Sequence, residues 1–132
     1  MSILKWLCVA ALSLTAHAAS AQNAEYGEEL YQQFCATCHG ASGEGDGPLT
    51  QMMTTSVPDL TGLAEANDGA FPMLNVLHII DGRDDLRAHG GPMPVYGALF
   101  SETSEVNSAY ADVLYRRGRI LSLAYYLESL QK

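Results

Sequence analysis

"FCATCHGASGEGDG", residues Phe34 to Gly47, places Cys35, Cys38 and His39 within five positions and follows them with a glycine-rich acidic loop. What these three side chains hold decides how the chain can fold. A structural zinc site wants four ligands, usually as two close pairs at separated points of the chain. No second cysteine pair follows, and beyond His39 only His78 and His89 remain. A redox dithiol of the thioredoxin type needs the motif at the end of a strand, among alternating strands and helices. The residues before Cys35, "NAEYGEELYQQF", instead read as a helix.

Cys-x-x-Cys-His is also the attachment signature of a c-type haem. Two thiols about one helical turn apart reach the two vinyl groups on one edge of a porphyrin, and the next residue then lies beneath the ring. On this reading Cys35 and Cys38 form thioethers and His39 is the proximal axial ligand. One motif means one haem.

The first 21 residues set the compartment. Lys5 is their only charged side chain, and a nine-residue apolar run, Trp6 to Leu14, follows it. Ala-x-Ala patterns at Ala16–Ala18 and Ala19–Ala21 complete the layout of a secretory leader, with cleavage expected after Ala21. The run is well short of the roughly 20 residues that span a bilayer. Residues 1–21 are therefore read as a leader and 22–132 as one domain, exported to the periplasm. Cys8 leaves with the leader, so the motif uses both remaining cysteines. Lys5 leaves too, so six cations face 15 carboxylates, a charge of −9. Such a surface repels nucleic acid and is steered toward partners with basic surfaces.

The sixth position of the iron decides the function. Met93 is the strongest candidate, standing in "HGGPMPVYG" between Pro92 and Pro94. The two proline rings stiffen the loop, and Gly90 and Gly91 let it lie close to a flat ring. His89 and His78 are the rival ligands. Met52, Met53 and Met73 read as packing residues, and His78 as a core histidine. Around these, Asn23 caps a first helix whose glutamates Glu25, Glu28 and Glu29 sit at its positive end. Gly27 costs that helix roughly 1 kcal/mol against alanine, which implies that another helix crosses closely there. "FPMLNVLHIIDGR" reads as a helix carrying Leu74, Leu77 and Ile80, stopped by Gly82. "RILSLAYYLESL" carries an apolar stripe at Ile120, Leu123, Ala124, Leu127 and Leu130. No strand pattern occurs, so the fold class is all-α. Arg116, Arg117 and Arg119 read as a solvated turn, Arg83 and Arg87 as candidates for haem propionates, and "GEGDG" as a solvated loop.

In "GEELYQQFCATCHG", "GDGP", "GGPMPVYG" and "LAYYLESL" the chain resembles a class I cytochrome c, small and monohaem, over nearly all of residues 25 to 131. The resemblance implies terminal helices crossing around one covalent haem c, with Gly27 and Tyr31 against Leu123 and Tyr126. It implies that the Pro48 carbonyl accepts from Nδ1 of His39, and that His39 and Met93 are the axial ligands. A polar insert, Ser101 to Ser108, departs from the family pattern, as does the lack of a lysine-rich rim. The expected function is a soluble, monomeric, exported carrier of single electrons between redox proteins, not an enzyme. The alternatives are a haem subunit of a larger oxidoreductase complex, and a haem enzyme or gas-binding protein with a displaceable sixth ligand.

Overall fold

The computed structural model describes residues 24–83, 93–102 and 108–132. The leader, the Asn23 cap, Arg87, His89, residues 90–92 and the middle of the polar insert lie outside the described residues. The described residues are helical, with no strand among them. We number the helices α1 (24–34), α2 (Ala36–His39), α3 (Met73–Asp81), α4 (Tyr96–Glu102) and α5 (Ala109–Ser129). Short 3₁₀ turns at Pro48–Met52 and Glu65–Asn67 interrupt the long connection from α2 to α3.

The first and last helices cross where Gly27 predicted it. A side chain at Gly27 would fall on the Ser122 carbonyl and within 2.9 Å of Tyr126 Cβ, so only hydrogen fits. The Tyr31 and Tyr126 rings meet beside the crossing at 5.2 Å. Leu30, Tyr31, Leu123, Ala124 and Leu127 are buried together there. Helix α5 uses its predicted stripe as the buried face, but starts ten residues before the segment that the stripe marks. The Ser108 side chain caps it, accepting from the Ala111 N–H at 3.1 Å. The added turns went unread because their large apolar residues, Tyr110, Leu114 and Tyr115, face outward and make no inward stripe.

Helix α3 ends as expected, with Gly82 in the left-handed region at φ 81° and its N–H on the His78 and Ile79 carbonyls. Its buried face is Val76 and Ile80, one turn apart; Leu74 is 67% exposed and His78 is also exposed. Leu74 lies two residues from Val76, about 200° around the helix, so the two cannot share a face. The core reading of His78 is corrected, as is that of Met52, which is 77% exposed.

Helix α4 was not anticipated. Tyr96 and Phe100, one turn apart, are buried on it. Their rings join Phe34 in a nest with centroids 5.4 to 6.1 Å apart. Arg119 seals this nest. Its guanidinium lies 4.3 Å from the Phe100 centroid and 5.5 Å from that of Phe34, and the residue is only 8% exposed. The solvated reading of the arginine turn therefore fails for Arg119, whose planar cation finds a better seat on ring faces. Arg117 remains exposed.

Candidate functional site

Helix α1 stops at Phe34, and a single turn, α2, carries the motif. The N–H groups of Cys38 and His39 both donate to the Cys35 carbonyl, at 3.1 and 2.9 Å. This turn puts Cys35 and His39 on the wall of one cavity of about 250 Å³. Its remaining lining is almost wholly apolar: Leu60, Leu63, Val76, Ile80, Leu123 and Leu127 contribute from the loop, α3 and α5. Met93 lines the same cavity. Cys38 is half-buried on the same turn, and the two cysteines form no disulfide with each other. Burial, with Cys38 nearby, pushes the Cys35 thiol up to about 12, so the unmodified sulfur is held as a neutral thiol.

The glycine loop folds back onto the motif. Gly45 donates to the His39 carbonyl at 2.8 Å and Gly47 to that of Cys38 at 3.1 Å. Tyr31, from α1, donates its hydroxyl to the Gly40 carbonyl at 2.7 Å. At Gly47 a Cβ would stand 2.5 Å from the Cys38 carbonyl and from the Thr37 carbonyl oxygen.

Nδ1 of His39 meets the carbonyl of Pro58, at 3.2 Å. A carbonyl only accepts, so this bond requires the hydrogen on Nδ1 and makes Nε2 the unprotonated nitrogen, the form in which an imidazole binds a metal. The Pro48 assignment is thereby corrected. The Gly47 bond to Cys38 carries Pro48 along the backbone of α2, where it opens a 3₁₀ turn. Pro58 is brought in by the Leu60 N–H, which donates to the Gly43 carbonyl at 2.7 Å. Gln131, at the chain end, fixes the same segment. It donates to the Leu60 carbonyl at 2.9 Å and accepts from the Ala64 N–H at 2.8 Å.

Another part of the lining, Val76, Ile80, Met93 and Tyr96, comes from α3 and from the residues that lead into and begin α4. A Cβ at Gly97 would collide with the Asp81 carbonyl, and one at Gly82 with the Val95 side chain, so both glycines permit close approach. Tyr96 reaches across from α4 and donates its hydroxyl to the Phe34 carbonyl at 2.6 Å. Burial, then the nearby cysteines, push that hydroxyl up to about 12, so it remains a donor. Arg83, read as a propionate candidate, pairs with Asp81 instead.

A family model described as Cytochrome c matches residues 24–109. The chain belongs to the cytochrome c family. No match came from the curated proteins or from the solved structures. The family carries covalently attached haem c and transfers electrons, and so does this cytochrome. Its residues fit that group: an apolar cavity with thiol, imidazole and thioether donors on its walls suits a flat apolar macrocycle around iron. The match ends at the first residue of α5, so the place of that helix in the fold rests on its crossing with α1.

Sequence reasoning missed Pro58, Tyr96 and Gln131. Pro58 carried a weak signal, being the second proline after the motif. Nothing in their local sequence distinguishes Tyr96 and Gln131 from other polar-ended residues.

Proposed function

We propose that this cytochrome is an exported carrier of single electrons between redox proteins, with haem held by Cys35 and Cys38 thioethers and ligated by His39 and Met93. The observation that carries the reading is Met93 lining the same cavity as Cys35 and His39, although 54 positions separate it from the histidine. Bound haem supplies an iron that cycles between ferrous and ferric forms. His39, oriented by the Pro58 carbonyl, would hold that iron through Nε2. Met93 would hold it through a soft thioether, which would favour the reduced form and close the iron to small molecules. With both residues holding the iron, little would reorganise on electron transfer and no substrate would coordinate.

The charge of −9 after loss of residues 1–21 directs the carrier toward basic partner surfaces. Among the described residues several cations are engaged within the chain, which supports this: Lys132 on Glu44 at 2.8 Å, Arg83 on Asp81, and Arg119 among the rings. The leader places the carrier in the periplasm. No described helix is long and apolar enough to cross a membrane.

Replacing Met93 with Ala tests the ligand directly. Reduced wild-type protein should bind carbon monoxide poorly and Met93→Ala readily, and the weak methionine-to-iron band at the red end of the ferric spectrum should vanish in the variant. Avid carbon monoxide binding by wild type would instead favour a haem enzyme or gas-binding protein.

A second reading, a haem subunit held in a larger oxidoreductase complex, is favoured by the outer face of α5. Tyr110 is 74% and Leu114 52% exposed there, with Leu121 and Tyr125 on the same side. Native-size chromatography of the exported fraction separates the two, since a free carrier elutes alone.

A further inference from the structure

The break between α1 and α2 leaves the Phe34 carbonyl without its usual helical partner. The N–H four residues on, at Cys38, donates to the Cys35 carbonyl instead. Phe34 immediately precedes the first cysteine of the motif, so its carbonyl marks where the attachment turn begins. The hydroxyl that reaches it, at 2.6 Å, belongs to Tyr96, 62 residues away and three residues after Met93. Between them lie only Pro94, with its fixed φ, and Val95, seated against Gly82. A tie at Tyr96 is therefore carried to Met93 through a short, stiff piece of chain.

From this geometry we infer that Tyr96 is a positioning residue for the sixth ligand, its hydroxyl holding the Met93 loop in register with the attachment turn. The inference rests on the reading of Met93 as that ligand. The two close packings at Gly82 and Gly97 hold the loop to α3, whereas the Tyr96 bond holds it to the segment that carries Cys35 and His39. Both walls of the cavity are thus referenced to one point, the Phe34–Cys35 peptide. The ring is separately secured, 5.7 Å from Phe100 and 6.1 Å from Phe34, so Tyr96→Phe removes the tie and keeps the packing. The carbonyl left behind loses its partner in a half-buried setting, where an unmade bond is expensive.

Loosening the loop lowers the free energy needed to swing Met93 away. The experiment is a titration of the oxidised, haem-bearing protein with imidazole, following loss of the methionine-to-iron band, beside thermal unfolding. Tyr96→Phe should retain the band without imidazole and bind imidazole about tenfold more tightly than wild type. If Tyr96→Phe melts lower yet binds imidazole as wild type does, its role is packing alone and the inference falls. Met93→Ala, run in parallel, separates this from the ligand reading. Loss of the band in Met93→Ala with unchanged imidazole affinity in Tyr96→Phe overturns the tie only. A band that survives Met93→Ala overturns the ligand and the tie together.

Discussion

The two walls of the haem cavity are held by different means. On the His39 side the backbone of one loop is bonded repeatedly. The Gly45, Gly47 and Leu60 N–H groups, the Gln131 amide and the Lys132 N–H, on the Thr61 carbonyl at 3.1 Å, all close on residues 38–64. On the Met93 side the long-range hydrogen bond is that of the Tyr96 hydroxyl, beside two glycine-permitted packings and the nest of Phe34, Tyr96 and Phe100 rings under Arg119. The first wall opens only when several bonds break at once, together with the chain terminus. The second is held chiefly by side-chain packing, with the Tyr96 bond referring it to the attachment turn. On the proposed ligation the difference suits the chemistry, because a histidine on a doubly attached turn would stay in place while a thioether on a separate loop could be exchanged. It also predicts that damage on the His39 side appears as lost folding and lost haem, and damage on the Met93 side as altered ligand exchange.

The largest effect expected from this contrast is at Gly47. Its φ of −59° suits any residue, so the need for glycine is purely steric. Three atoms of Thr37 and Cys38, all backbone, stand 2.5 Å from the place of a Cβ, and backbone cannot swing aside. Gly47→Val should cost about 3 kcal/mol or more. Haem staining of the denatured protein should be nearly lost, because the attachment turn itself is displaced. Normal haem content in this variant would break the comparison on its stronger side.

Next in size is Gln131→Leu, which keeps the bulk and removes three bonds at once, to the Ala64 N–H and to the Leu60 and Leu127 carbonyls. A loss of about 2 kcal/mol is expected, seen as a melting point lower by roughly 5–15 °C. Imidazole affinity of the oxidised protein should stay at the wild-type value, since the Met93 loop is untouched. A changed affinity would show that the two walls move together.

The parts of this site that the sequence revealed are those with short-range signals. The Cys-x-x-Cys-His turn, the Gly27 crossing, the Gly82 cap and the α5 stripe each declare themselves within a dozen residues, through spacing or through a residue only one geometry tolerates. The parts it hid are contacts between distant segments. Tyr96 meets Phe34 across 62 residues and Gln131 meets Leu60 across 71, and neither leaves a local trace. The finding that Pro58, rather than Pro48, meets Nδ1 of His39 is of the same kind. It turns on where the Gly43–Leu60 bond closes the loop, which proline spacing does not encode. Arg119 was misread because charge argues for water, while the three rings that cover it come from α1, α4 and α5.

The smallest effect, and the finest test of the His39 wall, is at Asp59, the residue after Pro58. Its carboxylate accepts from both the hydroxyl and the N–H of Thr61, each at 2.7 Å, and so braces the turn that carries the Pro58 carbonyl. Those two bonds, helped by the Lys132 charge, hold the Asp59 carboxyl below the usual carboxylate range. A carboxyl whose folded pKa is depressed contributes stability that is complete above the unfolded value, near 3.9. That contribution drains away as pH falls through the folded value. Between pH 5 and 8, then, the contribution should be flat. Asp59→Asn keeps an oxygen that accepts from Thr61 but removes the titrating charge. The gap in melting point between wild type and Asp59→Asn should be constant down to about pH 5 and narrow below about pH 4. A gap that stayed constant into strong acid would mean that the charge contributes nothing and that the Thr61 bonds brace the Pro58 turn equally well in neutral form. The Pro58 turn would then be held without any contribution from the Asp59 charge.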